Sequence, residues 1–336
     1  YKLLIYRRLN VNLTQYCYKQ INIYTFKTMS KFAIYNYNFL RIIEPNPEYQ
    51  IEFPGWVNVN VKESFDNRQQ LLEEVLLADF GKPFQFENAR KKLFWHKQIV
   101  KPQDNVYVMR VANVTDVTIT DEHLMSKKYA DYRNCLVIID NRPGIQRIAI
   151  ERKSKAFSHT KTVANILEAS ICKCLKDKLL KVKLSAVYST NAFWTTVHDH
   201  PEGFCKVRFH FPHLNLDRLT KAMDKYLTTA REDWDSDLDF SFGANEGGTV
   251  SIDPDNKRQT ALIEGASGAG IFIEMFPKGN KRKALLCGKD QFVVQEIDSE
   301  VFNQLVDGTQ TLPGMDKSAM DQVKLFMKNI PNVFSH

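Results

Sequence analysis

Apolar and polar positions follow the most regular pattern in the middle of the chain, between residues 134 and 190. Short apolar runs there predict β-strands, and a five-turn apolar stripe at three-to-four spacing predicts a helix packed on them. In chain order we predict a strand at Cys135–Asp140, a turn at Asn141–Gly144, a strand at Gln146–Glu151, a helix at His159–Lys178 and a strand at Val182–Tyr188. The β–α–β order favours a right-handed crossover on a sheet.

The flanking segments predict further elements of both types. Before the centre we predict strands at Lys31–Ile43, Lys92–His96, Asn105–Val111 and Val114–Thr120, a helix capped by Asp66, and a charged loop from Asp121 to Arg133. After it we predict strands at Cys205–Phe211, Asp237–Phe242, Thr249–Ile252, Thr260–Ile263, Gly270–Phe276, Leu285–Cys287 and Gln291–Ile297, and helices at Leu216–Arg231, Glu300–Leu305 and Lys317–Met327. The sequence therefore predicts an α+β fold of mixed, mainly antiparallel sheets with helices packed on one face.

A chain of 336 residues is long enough for two domains. We predict an N-terminal α+β domain at 29–190, a second α+β subdomain rich in hairpins at 191–297, and C-terminal helices at 298–336. Residues 1–28 contain five basic residues and no acidic one, and Met29 would be a natural start. We therefore expect residues 1–28 to be a leader or a non-native extension.

The formal net charge is +7, from 46 basic and 39 acidic residues. Removing the five basic residues of the first 28 leaves 41 basic and 39 acidic residues, a net charge of +2. Any affinity for nucleic acid must therefore come from local patches. The six cysteines form no CxxC pair, which favours free thiols in a reducing cytoplasm. No run approaches the roughly 18 apolar residues that a membrane-spanning helix needs.

A basic cluster surrounds the predicted start of the central helix. Its members are Arg147, Arg152, Lys153, Lys155, His159 and Lys161. If Ser158 or Thr160 caps that helix, free backbone N–H groups and the positive end of the helix dipole lie beside these cations. We predict a surface that contacts nucleic-acid phosphates, extended by Lys206 and Arg208 of the alternating strand at 205–211. The alternative is a solvated charged turn.

A second interpretation makes the protein a nuclease. Asp140, Glu151 and Lys153 resemble the PD-(D/E)xK nuclease core, which implies that two carboxylates bind Mg²⁺ while the lysine activates water. With a turn at Asn141–Gly144, however, the two carboxylates are about six positions apart, roughly 20 Å at ~3.4 Å per residue. That separation is too large for a shared ion, so this interpretation requires a different turn. No cofactor is predicted for the binding function.

Five potential metal ligands lie within sixteen residues. They are His198, His200, Cys205, His210 and His213. A tetrahedral zinc site needs four converging nitrogen or sulfur donors. The irregular spacing matches no zinc module, and the alternative is a set of exposed or hydrogen-bonded histidines.

A third interpretation is a non-catalytic protein-interaction module. The aromatic strand at Phe32–Phe39 would then be an exposed edge available for docking. Whether the protein is an enzyme stays open at this point.

The element order from Met29 to Tyr188 resembles that of the RexA-type proteins of phage exclusion. The matching features are Phe32-Ala-Ile-Tyr35, Leu76-Leu-Ala-Asp79, apolar strands around Val106–Val111, Ile148–Phe157 leading into a helix, and the strand Leu184–Tyr188. The resemblance implies a soluble DNA- or RNA-binding sensor in antiviral defence. It also implies a homodimer and a separate membrane effector as a partner. It assigns no role to any individual residue.

Overall fold

A computed structural model of the protein describes residues 28–42, 61–78, 84–87, 93–143, 145–211, 238–268, 273–279, 284–287, 293–306 and 315–330. The strands are β1 (Met29–Arg41), β2 (Phe84–Glu87), β3 (Leu93–Gln98), β4 (Val106–Thr120), β5 (Ser126–Asp140), β6 (Arg147–Glu151), β7 (Leu180–Ala186), β8 (Phe204–Phe211), β9 (Leu238–Gly243), β10 (Ile273–Pro277), β11 (Leu285–Cys287) and β12 (Val294–Asp298). The helices are α1 (Val61–Asp66), α2 (Arg68–Ala78), α3 (Thr160–Leu175), α4 (Thr190–His198), α5 (Lys257–Gly268), α6 (Glu300–Val306) and α7 (Met315–Asn329). The α+β class is confirmed.

The larger of two antiparallel sheets has eight strands in the order β12-β1-β6-β5-β4-β3-β2, with β7 also paired to β1. Strand β1 is central, because β6 lies along one edge while β7 and β12 share the other. Phe32 and Phe39 on β1 have no exposed surface. The predicted docking edge at Phe32–Phe39 is therefore wrong: the aromatic side chains are core residues, and both edges of the strand are paired.

Helices cover both faces of this sheet, not one. The side chains of Tyr35 and Phe39 face α2 and α3, whereas Phe32 and Ile34 face α6 and α7. The central strands are apolar on both faces, so each face needs a covering layer. Helix α3 connects β6 to β7, which both run antiparallel to β1.

The smaller sheet has the order β11-β10-β8-β9. Its core joins Phe204, Val207 and Phe209 to side chains of α4 and α5. The chain then returns to the large sheet, because β12 pairs with β1, and α6 and α7 pack on the same sheet. The described residues of 294–306 and 315–330 therefore pack with the N-terminal domain, and not as a continuation of the second subdomain.

Several segments differ from the prediction in secondary structure. Residues 249–252, predicted as a strand, have no regular secondary structure, and residues 190–198 form α4, which was not predicted. Asp66 is the last residue of α1 and does not cap the start of a helix. Residues 260–263 were predicted as a strand but lie within α5, which also contains the first glycines of the Gly-rich segment at 265–270. Most of the predicted loop at 121–133 belongs to β5, which starts at Ser126. The predicted helix at 216–231 and residues 1–27 lie outside the described residues.

Candidate nucleic-acid interface

The connection between β6 and α3 is held in place by two buried residues. Ala156 and Phe157 are 4% and 8% exposed, and their backbone N–H groups donate to the carbonyl of Lys153 at 2.9 and 3.0 Å. The ring of Phe157 stacks on Phe94, with 6.4 Å between centroids. Asn113 Nδ2 donates to the carbonyl of Ala156 at 3.1 Å. The connection is therefore an ordered turn on the α3 side of the sheet, and the residues around this anchor face solvent.

Five cationic or ionisable side chains on this turn and in the first turn of α3 are exposed. We name them the basic segment: Arg152, Lys153, Lys155, His159 and Lys161. Some other exposed cations have acidic partners, such as Lys31 with Glu296 at 2.9 Å. In the part of the chain that the structure describes, no carboxylate lies within 4.0 Å of a basic-segment nitrogen. The charge of the basic segment is therefore available to a ligand.

The basic segment runs into the N-terminus of α3. His159 is the N-cap residue, with extended backbone (φ −138°, ψ 138°) and no hydrogen bond from its side chain to the helix. The predicted caps are wrong, because neither Ser158 nor Thr160 occupies this position and Thr160 Oγ1 instead bonds with Tyr35 Oη at 2.9 Å. The first turn of α3 carries no acidic residue. The positive end of the helix dipole thus adds to the positive charge of the exposed side chains.

Arg147 is not part of this surface, which corrects the prediction. It is 6% exposed, and its Nη1 donates to the carbonyl of Ile330 at 2.7 Å. Burial lowers the pKa of its guanidinium, and the nearby Asp140 carboxylate partly offsets that effect. Arg147 therefore joins the sheet to the end of α7 and cannot contact a phosphate in solvent.

Lys206 and Arg208 lie on β8, in the smaller sheet. Arg208 Nη1 is 3.0 Å from Glu274 Oε2, so its charge is neutralised. Lys206 Nζ lies 5.6 Å from the centre of the Phe276 ring. The basic segment, in contrast, connects β6 to α3 at the larger sheet, and the extension of its surface by Lys206 and Arg208 stays a prediction.

Asp140 and Glu151 are not brought together. Asp140 pairs with Arg147 across β5 and β6, which places Glu151 opposite Leu136. The carboxylates are therefore four positions apart, about 14 Å at ~3.4 Å per residue. Asp140 is fully buried and accepts hydrogen bonds from Arg142, at 2.9 Å from Nε and 2.6 Å from Nη2. With Lys153 exposed beyond the strand, the three predicted nuclease residues form no common site.

The predicted metal ligands have separate surroundings. The side chain of His198 is 91% exposed, and His200 Nδ1 lies 2.9 Å from the carbonyl oxygen of Thr196. Cys205 Sγ donates to the carbonyl of Phe276, and His210 pairs with Asp239. His213 lies outside the described residues. Within the described ranges, no three His, Cys, Asp or Glu side chains converge as a metal site would require.

Sequence reasoning missed Arg142, which holds Asp140 and also reaches α7. Its Nη2 donates to the carbonyl of Lys324 at 3.3 Å. The hydrogen bond to Asp140 raises the pKa of the Arg142 guanidinium. An Asp and an Arg two residues apart at a strand end could have indicated this local pair.

No protein-family model matches the chain, and no curated protein matches it either. The resemblance to RexA-type proteins therefore stays a prediction from the sequence. None of the helices that the structure describes is long and apolar enough to cross a membrane.

Proposed function

We propose that this protein binds nucleic acid through its phosphate backbone, and that the basic segment is the contact surface. The observation that carries the proposal is the exposure of Arg152, Lys153, Lys155 and Lys161 without a described acidic partner. The N-terminus of α3 directly adjoins them. Phosphate oxygens are the ligands that such a combination of cations and backbone N–H groups favours.

The shape of the surface favours a polymer over a small anion. The basic segment is an open turn, and its four Arg and Lys residues span ten positions of sequence. A cavity of about 40 Å³ lies elsewhere, under α2 and α3, with Leu76, Met109 and Ile171 in its lining. It is too small for a nucleotide and mainly apolar. A row of phosphates, in contrast, can follow an exposed line of cations.

The test is binding of fluorescently labelled duplex DNA, single-stranded DNA and RNA, measured by anisotropy over a series of salt concentrations. Four phosphate contacts predict a log–log slope of about −3.6 for duplex DNA, at ~−0.9 per contact. The variant Lys153→Gln/Lys155→Gln/Lys161→Gln removes three of those contacts. It should bind more weakly at every salt concentration, with the slope reduced to about −0.9.

A matched control lies at the other end of the same helix. Lys173, Lys176 and Lys178 are exposed there, and their replacement by glutamine lowers the net charge by the same three units. This control variant should keep the wild-type affinity and slope. Equal losses in the two triple variants would mean that net charge alone drives binding. Absence of binding by the wild type would overturn the proposal.

Three further expectations stay predictions. A sensor role in phage defence and a separate effector protein rest on the resemblance alone, and a cytoplasmic location rests on the cysteine pattern. The proposal concerns binding. The alternative Mg²⁺-dependent nuclease has no support from the positions of Asp140 and Glu151.

A further inference from the structure

Two cations lie directly opposite each other on one face of the large sheet. Lys97 of β3 pairs with Arg110 of β4. Their side chains are on the face that α6 and α7 cover elsewhere, because Val106 and Val108, at alternate positions before Arg110, belong to the core on that side. Opposed residues of an antiparallel pair have Cβ atoms about 5 Å apart, so like charges there repel and destabilise the sheet. A bound anion would remove that repulsion.

Neither cation is neutralised by the described chain. Arg110 Nη1 donates to Asn134 Oδ1 at 2.7 Å, and none of the remaining side-chain nitrogens of Arg110 is buried. Lys97 is exposed. Over the described ranges, no carboxylate oxygen lies within 4.0 Å of a side-chain nitrogen of either residue. Both charges are therefore available to an anion from solvent.

A pair of aromatic rings adjoins the two cations on the same face. Trp95 lies two residues before Lys97, and its ring centroid is 5.8 Å from that of Tyr132 on β5, with the rings at 75°. Ala112 of β4 lies between them, opposite Trp95, and its small side chain lets the two rings meet. Tyr132 is 47% exposed. We name Trp95, Lys97, Arg110 and Tyr132 the aromatic–basic patch.

This combination of groups suits an unpaired nucleotide. A simple anion has no use for the rings, whereas a nucleotide brings a phosphate for the cations and a base for an aromatic face. In a duplex the base faces are stacked on each other, so only a single strand offers both groups. A free nucleotide is usually bound in a concave pocket, and this patch is a partly exposed sheet face.

The aromatic–basic patch lies close to the start of the basic segment. Arg110 pairs with Leu136, which is opposite Glu151, the residue before Arg152. Two steps between strands separate Arg110 from Glu151, about 10 Å at ~4.8 Å per strand. The Glu151 carboxylate accepts the N–H of Leu136 at 2.9 Å. A few nucleotides of one strand therefore suffice to reach from one surface to the other.

We propose that the aromatic–basic patch binds one unpaired nucleotide, and that single-stranded nucleic acid is therefore the preferred ligand of this protein. The phosphate lies between Lys97 and Arg110, and the base stacks on the ring of Tyr132. Trp95 holds that ring in place through its edge contact. The inference rests on the proposed function, because the same strand continues onto the basic segment.

The experiment compares a labelled oligothymidylate with its duplex of the same length, by anisotropy. The wild type should bind the single strand more tightly. Tyr132→Leu should weaken single-strand binding at least about fivefold and leave duplex binding unchanged, whereas Tyr132→Phe keeps the ring and the affinity. Tyr129→Leu is the matched control, because Tyr129 is 51% exposed three positions earlier on β5, on the opposite face, and should bind as the wild type does.

The cations are tested separately. Lys97→Gln should reduce the salt slope for the single strand by about 0.7 and leave the slope for the duplex unchanged. It should also unfold at the same or a higher temperature, because it removes the repulsion from Arg110. Lys173→Gln, at the far end of α3, removes the same charge and should keep the single-strand slope.

The outcomes separate this inference from the proposed function. Preference of the wild type for the duplex, Tyr132→Leu or Lys97→Gln without effect on single-strand binding, or equal losses in the Tyr132→Leu and Tyr129→Leu variants would overturn the inference alone. So would displacement of the oligonucleotide by thymidine monophosphate at an equal concentration of nucleotide units, since that would make the patch a site for free nucleotides. Absence of binding to both single strand and duplex would overturn the proposed function as well.

Discussion

Arg147 donates a hydrogen bond from Nη1 to the carbonyl oxygen of Ile330 at 2.7 Å, across 183 positions of sequence. Ile330 directly follows α7, whose last carbonyl groups carry partial negative charge. Arg142 makes a similar contact with Lys324, which is on the same helix. Two arginines at the connection of β5 and β6 thus attach the C-terminal helix to the large sheet. The most buried cation of the predicted binding cluster has a structural role.

We expect Arg147→Met to lower the free energy of unfolding by about 2–4 kcal/mol. The change removes a buried charge-assisted hydrogen bond and leaves the carbonyl of Ile330 without that donor. Chemical denaturation followed by circular dichroism measures the effect. Arg152→Met, on the exposed basic segment, is the control and should change stability by less than about 0.5 kcal/mol. A variant at position 147 as stable as the wild type would contradict the structural role.

His96 should make the protein less stable in mild acid. Its side chain is 7% exposed, and burial lowers its pKa to about 4 from an ordinary value of 6.5. Between these values the unfolded chain binds a proton that the folded chain does not. The stability contributed by neutral His96 is therefore full above about pH 6.5 and is lost progressively as the pH falls toward 4.

Because of His96, the free energy of unfolding should fall by about 2 kcal/mol as the pH is lowered from roughly 7.5 to 5. Urea denaturation at a series of pH values measures it. His96→Gln should flatten the dependence in this range, whereas His123→Gln should keep it, because the side chain of His123 is 80% exposed. A pH dependence unchanged by His96→Gln would contradict the lowered pKa of His96 in the folded protein.

The sequence predicted the strand–helix–strand unit well, because its pattern is strong and local. Helix α3 ends at Leu175, and the short 3-10 turn that follows ends at Lys178, where the predicted helix ends. The apolar stripe was the pattern that predicted this helix. The conformation of the residue after the helix was harder to predict, because Leu179 takes the left-handed conformation (φ 55°) that glycine usually supplies at a helix end.

Leu179→Asn should therefore stabilise the protein by about 0.5–1 kcal/mol. The residue has the left-handed backbone that asparagine tolerates, and its N–H donates to the carbonyl of Lys176 at 2.9 Å in either case. Thermal unfolding measures the change. Leu180→Asn, one residue later and fully buried, should instead destabilise the protein strongly. A lower unfolding temperature for Leu179→Asn would show that its partly buried side chain matters more than the backbone strain.

Long-range packing explains the errors of sequence-based prediction. Thr260-Ala-Leu-Ile263 is a short apolar run, which periodicity alone cannot assign to a strand or a helix. The first part of β5, residues 126–134, has no buried residue, so its charged residues were interpreted as a loop. Arg147 is bonded to Ile330, just after α7 and 183 positions further along the chain. The other residues of the basic cluster are exposed, as predicted, because their position depends only on the local turn between β6 and α3.

The last prediction distinguishes a structural Glu151 from a metal-binding one. Glu151 Oε2 accepts a hydrogen bond from the backbone N–H of Leu136 at 2.9 Å, next to the last paired residues of β5 and β6. Glu151→Ala removes that acceptor and should lower the free energy of unfolding by about 1–2 kcal/mol. Glu151→Gln keeps an acceptor oxygen and should remain closer to the wild type.

We expect millimolar Mg²⁺ to leave the unfolding temperatures of the wild type, Glu151→Ala and Glu151→Gln unchanged. An ion raises the unfolding temperature only if the folded protein binds it. The separation of Asp140 from Glu151 leaves no shared position for the ion. If Mg²⁺ raised the unfolding temperature of the wild type and both Glu151 variants lost that increase, the two carboxylates would bind one ion. In that case the strand register between β5 and β6, from which their separation follows, would be wrong.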